Sequence, residues 1–187
     1  MFWLFVVQVL TMFGMSLVQV INALYARDVL LIPQEQWWLT FIPLLLTMIV
    51  ASIPIGMMVD KIGRKIPMIL GLFAMGAATL IFVTGNLFTV MISMCLFGAA
   101  QLLVMAATMA LSTDLVEPQN RGKVNGFVNF VSYVVFGFGM LLGNYLYVSF
   151  IPQLPFYVVL GLIVPTLVTV MFLVHEPKKR VGAITSA

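Results

Sequence analysis

The chain alternates long apolar runs with short polar connections. Because a helix that crosses a bilayer needs about 20 mostly apolar residues, each run can be compared with that length. Six runs are long enough, and they lie at about 2–25, 39–59, 67–84, 87–111, 124–150 and 156–174. The pattern predicts an all-α, polytopic membrane protein with six transmembrane helices. We assign residues 1–180 to this bundle and residues 181–187 to a cytoplasmic tail.

The composition favours a membrane protein over a soluble one. Hydrophobic residues make up 63% of the chain and charged residues 8%, whereas soluble domains carry about 25% charged residues. The net charge of +3 does not indicate nucleic acid as a partner, because the basic residues lie in loops between apolar runs rather than on one face. The lipid bilayer is the predicted environment, and the plasma membrane is the expected location.

The basic residues also predict the orientation, because Lys and Arg mark the cytoplasmic side of a membrane protein. Eight of the nine follow even-numbered runs, and only Arg27 follows an odd-numbered one. The eight are Lys61, Arg64, Lys65, Arg121, Lys123, Lys178, Lys179 and Arg180. Both termini are therefore predicted to be cytoplasmic.

A charged segment, residues 56–65, connects the second and third runs, and we call it the hinge. Its pattern is Gly-x-x-x-Asp-Lys-x-Gly-Arg-Lys, formed by Gly56, Asp60, Lys61, Gly63, Arg64 and Lys65. Gly56 would let another helix approach closely, and Gly63 would permit the chain reversal. Arg64 and Lys65 would pair with Asp60 or with anionic lipid. The short connection predicts that the two runs are antiparallel neighbours, and the alternative interpretation is a generic basic turn.

The hinge pattern resembles the loop signature of the major facilitator superfamily, which lies between the second and third helices of each six-helix half. A second loop is similar to the family's connection between the fourth and fifth helices, through Asp114, Pro118, Arg121 and Gly122. The resemblance implies one half of a twelve-helix fold made of two parallel repeats.

Two departures from the family pattern favour a C-terminal half. The resemblance implies an arginine ahead of a glycine in the fourth helix of an N-terminal half, but Met94 precedes Gly98 here. It also implies a Gly-Pro pair in the fifth helix of antiporter-type halves, whereas Gly137, Gly139 and Gly143 occur here without proline. The Gly139-x-x-x-Gly143 pair is expected to serve close helix packing.

Polar residues at helical spacing are the candidate cavity residues. In the first run, four polar residues fall within about 80° of one another around a helix of 3.6 residues per turn, namely Gln8, Thr11, Gln19 and Asn22. The resemblance implies that the first and fourth helices line a central cavity. The candidates are Gln8, Thr11, Gln19, Asn22, Gln101, Asn129 and Tyr133. The alternative is that these side chains only form hydrogen bonds between helices. The absence of charge within the runs favours a neutral or apolar solute.

No pattern indicates catalysis. The chain has one His and one Cys, without nucleophile, phosphate-loop or metal-ligand motifs, so we expect neither an enzyme, nor a cofactor, nor a metal site. The 14 methionines, Met75 and Met105 among them, are expected to fill gaps in the packing.

The predicted function is movement of a small solute by alternating access, driven as secondary active transport. The chain would work against a second six-helix half, which is either another chain or a second copy in a homodimer. The resemblance implies that Asp60 engages a helix of that half. The alternative is a non-transporting membrane subunit, or a truncated half used for assembly or sensing.

Overall fold

A computed structural model describes residues 1–174, and every regular element in that part of the chain is helical. The α-helices are α1 (Phe2–Gln19), α2 (Ile21–Asp28), α3 (Phe41–Ile62), α4 (Lys65–Val83), α5 (Leu87–Leu115), α6 (Arg121–Ser149) and α7 (Leu154–Val168). Short 3-10 turns precede α3 at Gln34–Thr40 and α6 at Pro118–Asn120. A π-helical turn, Thr169–Leu173, extends α7.

Within residues 1–174 the structure confirms six helices that are long and apolar enough to cross a membrane. They are α1, α3 with its 3-10 turn, α4, α5, α6 with its 3-10 turn, and α7 with its π-helical turn. The first apolar run was predicted to continue to about residue 25, but α1 ends at Gln19 and α2 follows after Val20. The predicted boundary at residue 180 and the tail 181–187 lie outside the described residues.

The helix packing corrects one prediction. Helix α3 contacts α4 at few positions and packs against α5, which lies between them. Glycines explain this arrangement, because they bring α5 close on both sides. A Cβ at Gly71 of α4 would lie 2.7 Å from Val104 Cγ2, and one at Gly98 of α5 would lie 3.1 Å from the Leu44 carbonyl oxygen of α3.

The predicted close packing at Gly139 and Gly143 is confirmed, and the partner is α1. A Cβ at Gly139 would overlap Ser16, and one at Gly143 would overlap the backbone of Leu17. Backbones therefore approach directly along this pair of helices. Helix α1 also packs against α7, which places it at the centre of the bundle beside α6.

Aromatic packing fills the end of the bundle opposite the hinge. Tyr25, Phe82 and Phe156 are buried, with ring centroids 4.8 Å apart for Tyr25 and Phe156 and 5.4 Å apart for Phe82 and Phe156. The Tyr25 hydroxyl donates a hydrogen bond to the Val83 carbonyl oxygen at 2.9 Å. This bond satisfies the polar end of an otherwise buried ring. The cluster joins α2, α4 and α7.

A polar cluster ties α2 to α6 at the same end. Arg27 Nε donates to Asp28 Oδ1 at 2.7 Å, and the Tyr147 hydroxyl donates to Asp28 Oδ2 at 3.2 Å. The hydrogen bond from Arg27 lowers the pKa of Asp28 below its ordinary value, and the bond from Tyr147 acts in the same direction. The cluster therefore favours the ionised carboxylate.

Acid is expected to remove the contribution of Asp28 to stability. Because its pKa is lower in the folded chain, the contribution is complete above the ordinary Asp pKa of about 4 and is lost as the pH falls through the lowered value. The expected effect is small, since the pair is exposed. Thermal unfolding of wild type and Asp28→Asn at neutral and strongly acidic pH measures it. The stability difference should vanish in acid, and a constant difference would contradict this account.

Candidate functional site

Helices α1, α5 and α6 line an open cavity of about 410 Å³, which we call the inner cavity. Five of the predicted candidates line it, on three different helices: Gln8, Thr11, Gln101, Asn129 and Tyr133. Its other lining residues include Met12, Met15, Met105, Met109, Ser112 and Asn125. Ser112 Oγ donates to Asn125 Oδ1 at 3.3 Å, which links α5 to α6 along this wall.

A second cavity of about 270 Å³, the outer cavity, lies towards the end opposite the hinge. The remaining predicted candidates, Gln19 and Asn22, line it together with Gln101. Aromatic rings form much of the rest, from Trp37, Phe41, Phe82, Phe97 and Phe156. Trp37 and Trp38 lie just before α3, and adjacent tryptophans at the end of an apolar helix predict an interfacial aromatic belt. Trp38 is exposed as that prediction requires, but Trp37 is half-buried against the rings of Phe41 and Phe82.

The two cavities meet at Met15 and Gln101, which line both of them. Residue numbers along α1 rise from Gln8 in the inner cavity to Gln19 in the outer one, while those along α5 fall, so the two helices run antiparallel. The lining residues of both cavities include no charged side chain. The geometry thus gives a continuous polar and aromatic wall along much of the bundle.

The hinge has the backbone geometry that its glycine predicts. Gly63 ends α3 with φ of 98°, a conformation that residues with a Cβ rarely adopt, so it permits the reversal into α4. Gly56 is different, because no atom of the described chain lies within 4 Å of a Cβ built there. The close helix approach expected at Gly56 is therefore not made within residues 1–174. That side of α3 is open.

Arg64 connects the hinge to the second loop. Its Nε lies 3.2 Å from Asp114 Oδ2, and its Nη2 lies 4.0 Å from Asp60 Oδ1. The Arg64 and Asp114 side chains are 13% and 18% exposed, while Asp60 is 73% exposed. The nearer partner is therefore Asp114, at the end of α5, rather than the predicted Asp60. This pair was not predicted, because its two residues lie 50 positions apart in the sequence.

Other basic residues cap helix ends near the hinge. Arg121 Nη2 donates to the Thr113 carbonyl oxygen at 2.9 Å, and its Nε donates to that of Val116 at 3.2 Å. These carbonyls end α5, where intrahelical donors run out. Lys65 Nζ donates to the Met171 carbonyl oxygen at 2.6 Å, in the π-helical turn. Both contacts place a cation at a helix C-terminus, where the helix dipole favours it.

The other predicted hinge and loop residues have simpler surroundings. Lys61 is exposed, Pro118 begins the 3-10 turn before α6, and Gly122 faces open space in the first turn of α6. Cys95 Sγ lies 3.6 Å from the Pro43 carbonyl oxygen, which is a contact between α5 and α3. Within residues 1–174 no three or more His, Cys, Asp and Glu residues form a group that could hold a metal ion.

Comparison with known proteins agrees with this architecture. The profile of the Major Facilitator Superfamily matches residues 4–186, and the chain belongs to that family. The inner membrane transport protein YajR of Escherichia coli is 35% identical over 100 residues, which cover 52% of this chain and 21% of YajR. The quinolone resistance protein NorA of Staphylococcus aureus is 25% identical over 167 residues, which cover 89% of this chain and 42% of NorA.

The chain spans less than half the length of these curated relatives. Its membership and its six apolar helices make it an integral, multi-pass membrane protein. YajR is an inner membrane transport protein, and membership of the same family supports the prediction that this chain is not an enzyme.

Proposed function

We propose that the chain moves a small solute across the membrane by alternating access, as one half-unit of a secondary active transporter. The observation that carries this proposal is the wall of polar and aromatic side chains that joins the two cavities at Met15 and Gln101. Amides and hydroxyls on this wall can replace the hydrogen bonds that a solute loses on leaving water. Because the wall is uncharged, it favours a neutral or apolar solute.

The second six-helix half is the proposed partner, supplied by another chain or by a second copy. Two features of the hinge support it. Asp60 presents a mostly exposed carboxylate, and Gly56 one turn earlier leaves room for a neighbouring helix. In this proposal, Asp60 accepts hydrogen bonds from a helix end of the partner in one access state.

The last part of the proposal is the orientation of the chain in the membrane. We place the hinge and both termini in the cytoplasm, since eight of nine basic residues flank that side. We also assign the chain to the C-terminal type of half, because Met94 replaces the expected arginine and α6 contains Gly137, Gly139 and Gly143 without proline.

Thiol accessibility tests alternating access without a known solute. The background is Cys95→Ser, which removes the one native thiol, and the probe position is Gln101→Cys, where the two cavities meet. We expect a membrane-impermeant methanethiosulfonate to label it from either side of sealed vesicles. Leu141→Cys is the control, because that residue is exposed on the apolar surface and a thiol in lipid seldom ionises to react.

Asp60→Asn separates the two candidate functions. In a transporter it should change the ratio of labelling from the two sides by about fivefold or more, the size of a typical coupling between sites. Membrane insertion should stay unchanged, since Asp60 is mostly exposed. A non-transporting subunit would instead show labelling from one side only, with the same ratio in Asp60→Asn, and that result would overturn the transport proposal.

A further inference from the structure

Four methionines converge on the inner cavity, two from each of two helices. Met12 and Met15 lie one turn apart on α1, and Met105 and Met109 lie one turn apart on α5. The expectation that methionines fill packing gaps holds for Met75, which is buried. It fails for Met105 and Met109, which are 53% and 61% exposed and open to the cavity.

The register of the two helices brings thioethers to the same depth. Met15 and Gln101 lie at one level, because both line the junction of the cavities. With about 1.5 Å of rise per residue, Met12 lies about 4.5 Å below that level on α1, and Met105 about 6 Å below it on the antiparallel α5. Met12 and Met105 therefore share a level to within about 1.5 Å. Met15 lies about one turn above this level, and Met109 lies about one turn below it.

The donor set of the cavity is soft and neutral. Thioether sulfur selects Cu(I) and the similar Ag(I), whereas Ca²⁺, Mg²⁺ and Zn²⁺ need carboxylate, imidazole or thiolate ligands. The lining residues of the inner cavity include no Asp, Glu, His or Cys. Methionine side chains are unbranched and turn about three bonds, so sulfurs from facing helices can close on one ion.

We propose that the inner cavity binds a soft monovalent metal ion, Cu(I) or Ag(I), through the thioethers of Met12 and Met105, which lie at the same level on the two helices. Helices α1 and α5 contact each other and both line the inner cavity, so Met12 and Met105 lie on the walls of one space. The site is a property of the bundle itself. It does not depend on transport, so its failure and the failure of the transport proposal are separate results.

Silver binding tests the site directly, because Ag(I) needs no reductant. The full chain with Cys95→Ser, purified in detergent, is titrated with Ag(I) in chloride-free buffer, and bound silver is measured by calorimetry and by metal analysis after dialysis. We expect saturable binding of a single ion. Met105→Leu and Met12→Leu should each weaken it by at least about tenfold, since even the loss of a supporting group around a metal costs about 10- to 100-fold.

Leucine variants make the controls strict. Leucine keeps the apolar volume of methionine and removes its sulfur. Silver binding that did not depend on sulfur would therefore be unchanged in the leucine variants. Met75→Leu and Met68→Leu change buried methionines outside the inner cavity and should leave silver binding unchanged. X-ray absorption of the bound ion should show sulfur neighbours. Absence of saturable binding, or equal binding by wild type and the Met12→Leu and Met105→Leu variants, would overturn the proposal.

Discussion

Arg64→Gln is expected to destabilise the folded chain by about 3 kcal/mol, because it removes one partner of a largely buried ion pair and leaves the Asp114 carboxylate without its counter-charge. The loss should reach two loops, since this guanidinium joins the hinge to the end of α5. Unfolding by sodium dodecyl sulfate in mixed micelles, followed by far-ultraviolet circular dichroism, measures the change.

A double-mutant cycle isolates the pair. Asp114→Asn alone should also destabilise, but the double variant with Arg64→Gln should lose less than the sum of the two, with a coupling of about 1–3 kcal/mol. Arg64→Lys should recover only part of the stability, because lysine lacks the planar fork. Asp60→Asn is the matched control and should cost less than about 1 kcal/mol, since its carboxylate is mostly exposed. A coupling near zero would show that Arg64 and Asp114 act independently.

Gly143→Ala is expected to destabilise the chain by about 2–3 kcal/mol, although it adds only a methyl group. The new Cβ would overlap the backbone of Leu17, which has no rotamer to move away. Helices α1 and α6 would have to separate, and the inner cavity between them would change shape. The same detergent unfolding assay measures the loss.

The same substitution on the same helix provides the control. A Cβ at Gly137 meets no atom within 4 Å, so Gly137→Ala should be neutral or stabilising by up to about 1 kcal/mol, the helix propensity that alanine gains over glycine. Opposite signs for the two variants are the expected result. Equal effects would mean that helix propensity, and not the approach of α1, decides both.

Features that depend on local periodicity were predictable from the sequence. Apolar runs of bilayer length predicted the six membrane-spanning helices. The glycine of the hinge predicted the chain reversal at Gly63, and the four-residue spacing predicted the close packing at Gly139 and Gly143. Helical spacing also grouped the polar residues that the structure places around the cavities. Whether those residues bind a solute stays a prediction.

Features that depend on which helix lies beside which were not predictable. A short connection suggested that α3 and α4 are neighbours, but Gly71 and Gly98 draw α5 between them. The structure has the predicted contact of Arg64 with Asp60 at 4.0 Å, but its nearer partner, Asp114, lies 50 positions away and was not predicted. Trp37 is half-buried and Trp38 is exposed because the 3-10 turn points adjacent side chains in different directions.

The contacts of the hinge have a mechanical consequence. Ten residues hold the ends of four helices: α3 and α4 by the chain itself, α5 through Arg64 and Asp114, and the turn after α7 through Lys65 and the Met171 carbonyl. Helices that are joined at one end cannot move there independently of one another. A displacement of the hinge is therefore expected to move these four helix ends together.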